Sequence, residues 1–243
     1  MVRRAHLDAR PSAVEKPAAL GLQPLEAGGL HDGYLYVPQS YRHTRPNPLL
    51  LVLHGSGGHA HHGLGILQNL ADETGLILVA PASADYTWDV VFGRSAPDLI
   101  TVNKALGQVF STYAVDPAHV AIGGFSDGAS YALSLGLANG DLFTHIIAFS
   151  PGFVLLAEEA DRPRVFVSHG TRDEILSLEA CSHRVLEQLE RMGLDVQYVE
   201  FDGGHRIPPE VARQAVEWFI EAAQSAPEPP PRPLPADQPS REG

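Results

Sequence analysis

The stretch Val120-Ala121-Ile122-Gly123-Gly124-Phe125-Ser126-Asp127-Gly128-Ala129-Ser130-Tyr131 constrains the fold more than any other part of this 243-residue chain. It runs as an apolar strand through Gly124-x-Ser126-x-Gly128 and straight into a helix. That pattern holds a serine on a strained strand-to-helix turn with its hydroxyl exposed. The turn is so tight that side chains two residues before and two after the serine would collide, and glycine removes the Cβ. A helix beginning at Asp127 aims its first N–H groups and the positive end of its dipole at the place where an oxyanion would form. The pentapeptide also recurs by chance, so the rest of the chain must supply its context.

That context is an alternation of apolar runs and helical stripes. Asp32 to Val37 alternates like a half-exposed strand, whereas Leu49 to Leu53 is continuously apolar, as in a strand buried on both faces. A helix is expected from about His62 to Thr74, with Leu64, Leu67, Leu70 and Ala71 on one face, followed by a strand over Leu76–Ala80. Ser95 can cap the next helix and Pro97 suits its first turn. After the central strand come strands at Thr144–Phe149, Arg164–Ser168 and Asp195–Phe201. Leu178, Cys181, Val185, Leu189 and Met192 make one amphipathic stripe, which places Cys181 in core packing, and a last helix is expected from Pro209 to Ala222. Strand alternating with helix means an α/β fold, a mostly parallel twisted sheet with helices on both faces. No segment between strands is long enough for a large lid domain. Residues 1–20 are expected to be a flexible leader, 21–224 the catalytic domain, and 225–243, rich in Pro, Glu, Arg and Ser, a disordered tail of polyproline type.

Charge and cysteine usage exclude several partners. Seventeen Lys plus Arg stand against 29 Asp plus Glu, a formal charge of −12. Nucleic-acid binding needs clustered cations, and anionic membranes repel such a surface. No run is long and apolar enough to span a bilayer, and the basic start lacks an apolar core behind it. Cys181 is the single cysteine, so no intramolecular disulfide forms. A cytoplasmic location, a small-molecule substrate, no nucleic acid and no stable membrane insertion are the expectations; a homodimer is compatible with the sequence.

In an open parallel sheet, ligands bind beyond the carboxyl ends of the strands. Four reactive segments lie just there: His54-Gly55-Ser56-Gly57, Ser126, Asp173 within Ser168-His169-Gly170-Thr171-Arg172-Asp173, and His205 after Asp202-Gly203-Gly204. A serine hydroxyl is a poor nucleophile until an imidazole removes its proton, and the imidazole needs a carboxylate to fix its tautomer. Ser126, His205 and Asp173 fill those roles, in the chain order Ser…Asp…His that α/β-hydrolases use. Glu174 competes for the acid role; Asp141, Asp161 and Asp202 fit less well. The backbone N–H groups of Ser56 and Asp127 are the candidate oxyanion donors. His54, His59, His61 and His62 crowd together, but no Cys partner or H-E-x-x-H spacing accompanies them, so a polar loop at the mouth is expected and no metal. Trp88 and Phe92, with Phe153 and Leu155, are candidate walls of a substrate pocket, against plain packing under loops.

Leu53-His54-Gly55-Ser56-Gly57, Gly124-Phe125-Ser126-Asp127-Gly128-Ala129, His169-Gly170-Thr171-Arg172-Asp173 and Gly204-His205 together resemble the phospholipase/carboxylesterase group of α/β-hydrolases, which includes acyl-protein thioesterases. The resemblance spans roughly residues 30 to 222. It implies a cofactor-free serine esterase that hydrolyses small or short-chain carboxylic esters through an acyl-enzyme. Acyl thioesterase, feruloyl-esterase-like or peptidase activity on the same triad, or a non-catalytic binding role, are the alternatives. Two departures stand out: Asp127 replaces the group's usual amide after the nucleophile, and Gly58 stands where an acidic residue often ends the glycine-rich turn.

Overall fold

A computed structural model describes residues 6–14, 16–25, 33–89, 97–156 and 162–224. Among these, the elements in chain order are β1 (Gly21–Leu25), β2 (Gly33–Val37), β3 (Asn47–Leu53), α1 (Ala60–Thr74), β4 (Ile77–Ala80), α2 (Pro97–Thr112), β5 (Val115–Phe125), α3 (Asp127–Leu137), β6 (His145–Phe149), β7 (Arg164–Gly170), α4 (Ser182–Arg191), β8 (Val196–Phe201) and α5 (Pro209–Gln224). The eight strands form one sheet in the order β1-β2-β4-β3-β5-β6-β7-β8. β1 and β2 pair antiparallel, as do β2 and β4, and every pairing from β4 to β8 is parallel.

The continuous apolar runs bury both faces because successive side chains point to opposite sides. Leu49, Leu51 and Leu53 of β3, with Val120 and Ile122 of β5, join the layer formed by α2, α3 and α4. Leu50 and Val52, with Ala121, Ile147 and Phe166, pack under α1 and α5. This two-sided burial pins each strand in register, since a one-residue slip would exchange the two layers. Pinned strands hold their carboxyl ends, and the loops after them, along one rim of the sheet. No described helix is long and apolar enough to cross a membrane.

Three expectations change. Residues 6–14 of the expected leader are docked: Leu7 is fully buried, its N–H donates to Asn139 Oδ1 at 2.8 Å, and Asn103 Oδ1 accepts from Asp8 and Ala9 at 2.8 and 3.0 Å. Two asparagine carbonyls thus take backbone donors that otherwise need water. α4 starts only at Ser182, and Cys181 stands half-buried at its N-cap instead of within the stripe. Just before it the ladder is irregular: Cys181 N–H bonds Ser177 O at 2.9 Å, but His183 N–H reaches back five residues to Leu178 O at 3.0 Å, so an uninterrupted α-helix begins only after this turn. β5 begins five residues before the apolar run; Pro117 falls in the bulge where its register with β3 shifts, a place a ladder tolerates proline. Ser95 and the tail 225–243 lie outside the described residues.

Candidate active site

Ser126 sits at the turn between β5 and α3 with φ 57° and ψ −120°, a conformation that costs a non-glycine residue about 1–3 kcal/mol and is held by its surroundings. Those surroundings are backbone. A Cβ on Gly124 would lie 2.5 Å from the Gly128 carbonyl, and one on Gly128 would lie 2.4 Å from the Leu53 and His54 oxygens. The two glycines therefore let β5, α3 and the end of β3 close on one another. Ser126 N–H donates to Phe149 O at 2.9 Å, tying the elbow to β6.

The loops after β7 and β8 are fastened with equal economy. Thr171 N–H bonds Phe201 O and Arg172 N–H bonds Gly203 O, both at 2.9 Å. Between them they carry Asp173 and His205 to Ser126. The Ser126 hydroxyl donates to His205 Nε2 at 2.9 Å, and His205 Nδ1–H donates to Asp173 Oδ2 at 2.6 Å. Phe125 packs its ring 4.5 Å from the imidazole, limiting how it can swing. Asp173 is enclosed; burial alone would raise its pKa. Hydrogen bonds from Leu176 N–H, His205 and Ile175 N–H outweigh that and hold it below the ordinary carboxylate value. A carboxylate that stays ionised next to Nδ1 favours the tautomer with Nε2 free to accept a proton. Glu174, the competing acid, is exposed.

The turn Gly55–Gly58 adjoins Ser126: a Cβ on Gly55 would lie 3.4 Å from Ser126 Cβ. Gly58 N–H closes the turn on Gly55 O at 2.9 Å, and Gly57 N–H bonds Tyr86 O at 2.8 Å. Ser56 is exposed on this turn, and Asp127 is the first residue of α3, whose N–H has no intrahelical acceptor. Sequence reasoning missed what holds this turn, the loop Ser83–Trp88. Ser83 N–H donates to His54 Nε2 at 3.1 Å, while His54 Nδ1 donates to Gly55 O at 2.8 Å, so both ring nitrogens of His54 are spent inside the scaffold. The Thr87 hydroxyl donates to Asp127 Oδ2 at 2.8 Å, so the carboxylate that follows Ser126 has a fixed partner. Only an Asx- and aromatic-rich stretch marks this loop in the sequence, and that signal says turn without saying what the turn supports.

The candidate pocket walls separate. Trp88 is a correction: it is fully buried, donates Nε1–H to His54 O at 2.8 Å and stacks on Tyr131 at 5.3 Å. A buried indole must place its N–H on an acceptor, and this one found it beneath β3, making it a strut and not a wall. Phe92 lies outside the described residues. Phe153 is half-buried and Leu155 exposed on the segment after β6, which Ser130 Oγ and Ser134 Oγ tie to α3. Among the described residues no three His, Cys, Asp or Glu side chains are grouped to hold a metal ion.

A mostly parallel sheet, helices on both faces and a serine held at a glycine-bounded elbow define an α/β-hydrolase. A family profile described as Phospholipase/Carboxylesterase matches residues 93–223, more than half of the chain. The chain belongs to that family. It is 26% identical over 196 residues to MhqD of Bacillus subtilis (strain 168), which carries a hydrolase name, with 75% of this chain and 97% of that one covered. It is likewise 26% identical over 172 residues to a protein of Aspergillus oryzae named as a feruloyl esterase C, covering 65% of this chain and 63% of that one. The crystal structure of the Bacillus cereus carboxylesterase shares the fold with a TM-score of 0.64 at 19% identity, over 82% of this chain and 97% of that one.

Proposed function

We propose that this protein is a serine carboxylesterase that hydrolyses small or short-chain carboxylic esters through an acyl-enzyme. The observation that carries the reading is the unbroken path from the Ser126 hydroxyl through His205 to Asp173, at 2.9 and 2.6 Å. As Ser126 Oγ attacks the ester carbonyl, His205 Nε2 takes its proton and Asp173 stabilises the imidazolium. The carbonyl oxygen becomes an oxyanion beside the backbone N–H groups of Ser56 and Asp127; losing one such donor typically costs about 10²–10³ in turnover. His205 then returns the proton to the departing alkoxide, leaving acyl-Ser126. Water attacks the acyl carbon with His205 again as base, releasing the acid and restoring Ser126.

Aryl esters form a second substrate class with an observation behind them. Tyr86 is 70% exposed, and its phenol lies over Gly57 in the turn next to Ser126, where a flat ring can stack on it. A relative named as a feruloyl esterase accords with that class. The test is labelling by a fluorophosphonate probe together with turnover of p-nitrophenyl acetate and a feruloyl ester. Wild type is expected to be labelled and active and Ser126→Ala to be neither. A Ser126→Ala variant that retained ester turnover would end the reading.

A further inference from the structure

His169 is fully buried in β7, four residues before Asp173. Both contacts of its Nε2 lead to the triad carboxylate. Its Nε2 lies 2.9 Å from Leu176 O and 3.2 Å from Asp173 Oδ2, the same oxygen that accepts from His205. Its Nδ1 lies 2.6 Å from Ser182 Oγ, at the start of α4.

Hydrogen-bond chemistry decides the ring's roles. A carbonyl oxygen only accepts, so Nε2 carries the hydrogen and donates to Leu176 O. In the neutral ring Nδ1 is then the acceptor, and the Ser182 hydroxyl donates to it. The Nε2–H is aimed at Leu176 O and meets Asp173 Oδ2 off its axis. Its chief mechanical effect is therefore on the turn Asp173–Leu176. That turn is the device that holds the acid: Ile175 N–H and Leu176 N–H both donate to Asp173 Oδ1 at 2.9 Å. Releasing Leu176 O would loosen both donors at once, and Oδ2 with them.

We propose that His169 is a positioning residue of the active site, which fixes the Asp173 carboxylate through the Leu176 carbonyl and by direct approach to Oδ2, with Ser182 setting its tautomer. The inference rests on the reading of Ser126, His205 and Asp173 as a triad. Misplacing a catalytic group by about 1 Å can cost on the order of 10²-fold in rate, so the side chain that places the acid is visible in turnover.

Two isosteric amides separate the two ring nitrogens. His169→Gln keeps a donor near Nε2 and loses the Nδ1 contact; His169→Asn keeps a group near Nδ1 and loses the Nε2 donor. Turnover of p-nitrophenyl acetate is measured per active site, counted by fluorophosphonate titration, so that misfolded protein does not enter. The expected result is kcat in His169→Asn lowered about 30-fold with KM within about threefold, and in His169→Gln restored to within about fivefold of wild type. A merely structural role lowers the thermal midpoint and the titrated fraction of both variants and leaves kcat per site alike. Equal kcat per site in the two variants, or the reverse order, overturns the inference while leaving the triad standing. A wild-type protein that the probe does not label at Ser126 overturns the triad reading, and this inference falls with it. Should neither amide variant yield titratable protein, Ser182→Ala decides: a kcat per site unchanged from wild type overturns the inference, and a fall of about fivefold or more with KM unchanged supports it.

Discussion

Gly170, the last residue of β7, lies so close to Gly203 that a Cβ built on it would sit 2.4 Å from the Gly203 carbonyl oxygen and 2.5 Å from that of Gly204. Contacts that short against backbone cannot be relieved by turning a side chain. The gap is bridged by Arg172 N–H to Gly203 O, so this approach sets how far Asp173 stands from His205. In Gly170→Ala the two loops must part. Turnover of p-nitrophenyl acetate is expected to fall about 10²-fold, because the acid no longer reaches Nδ1 in a good line. Steady-state kinetics beside a thermal melt check it: turnover close to wild type in a folded variant would mean that other contacts set the spacing.

How much of this was legible beforehand depends on the range of the interactions. The buried runs at Leu49–Leu53 and Leu76–Ala80 and the elbow around Ser126 are local patterns, and each became the element it spelled. Asp173 and His205 could be named because strand ends in a parallel sheet share a rim. Trp88 could not be placed, since nothing local distinguishes an indole that lines a pocket from one that donates to His54 O. Leu7 looked like part of a loose leader because its partners lie far along the chain: Asn139 is 132 residues away, and the core it joins is built from α2 and α3. The start of α4 was not legible either: the apolar periodicity includes Leu178, while the backbone there folds into a turn in which His183 N–H bonds Leu178 O, five residues back.

The docking of residues 6–14 has a stability consequence. Leu7 is fully buried, and removing a leucine side chain from such a place costs about 2–5 kcal/mol. Leu7→Ala is expected to lower the urea midpoint accordingly while leaving Ser126 reactive to the fluorophosphonate. A midpoint equal to wild type would show that the segment contributes nothing to the fold.

His145 gives the fold a pH dependence of definite sign. It lies at the amino end of β6, buried edge-on to Trp218 and Phe219 at 5.1 Å each, and its Nε2 has no hydrogen-bond partner among the described residues. Burial first, and then the charges of Arg164 and His119, push its pKa from 6.5 down to about 4, against an opposing pull from Asp195. Between those values the unfolded chain binds a proton that the folded one refuses. Stability contributed by the neutral ring is therefore complete above pH 6.5 and declines as the pH falls toward 4, by roughly 3 kcal/mol in all. Buried Asp98, whose pKa is raised chiefly by burial, works in the opposite sense, since its contribution is lost as pH rises. Comparing wild type with His145→Leu cancels Asp98, because both chains carry it. Urea unfolding at pH 7 and pH 5 should show wild type losing about 2 kcal/mol more than the variant; parallel losses would place the titration elsewhere.

Thr87 and Asp127 make the last test, and it concerns the charge beside the proposed nucleophile Ser126. Asp127 follows Ser126 and opens α3, where its carboxylate complements the helix dipole but stands near the oxyanion of the proposed mechanism. The Thr87 hydroxyl, donated at 2.8 Å, is the contact that draws Oδ2 onto the loop Ser83–Trp88. A hydrogen bond to a charged group is worth about 1.5–3 kcal/mol, enough to confine the side chain. Thr87→Val keeps the shape and removes the donor, which releases the carboxylate, and kcat should fall about tenfold as negative charge competes with the oxyanion. If that is the cause, Thr87→Val with Asp127→Asn should recover most of the loss, because the released side chain no longer carries a charge. If instead Thr87 acts only by packing, removing the charge will not rescue the variant, and the effects of the two substitutions will simply add.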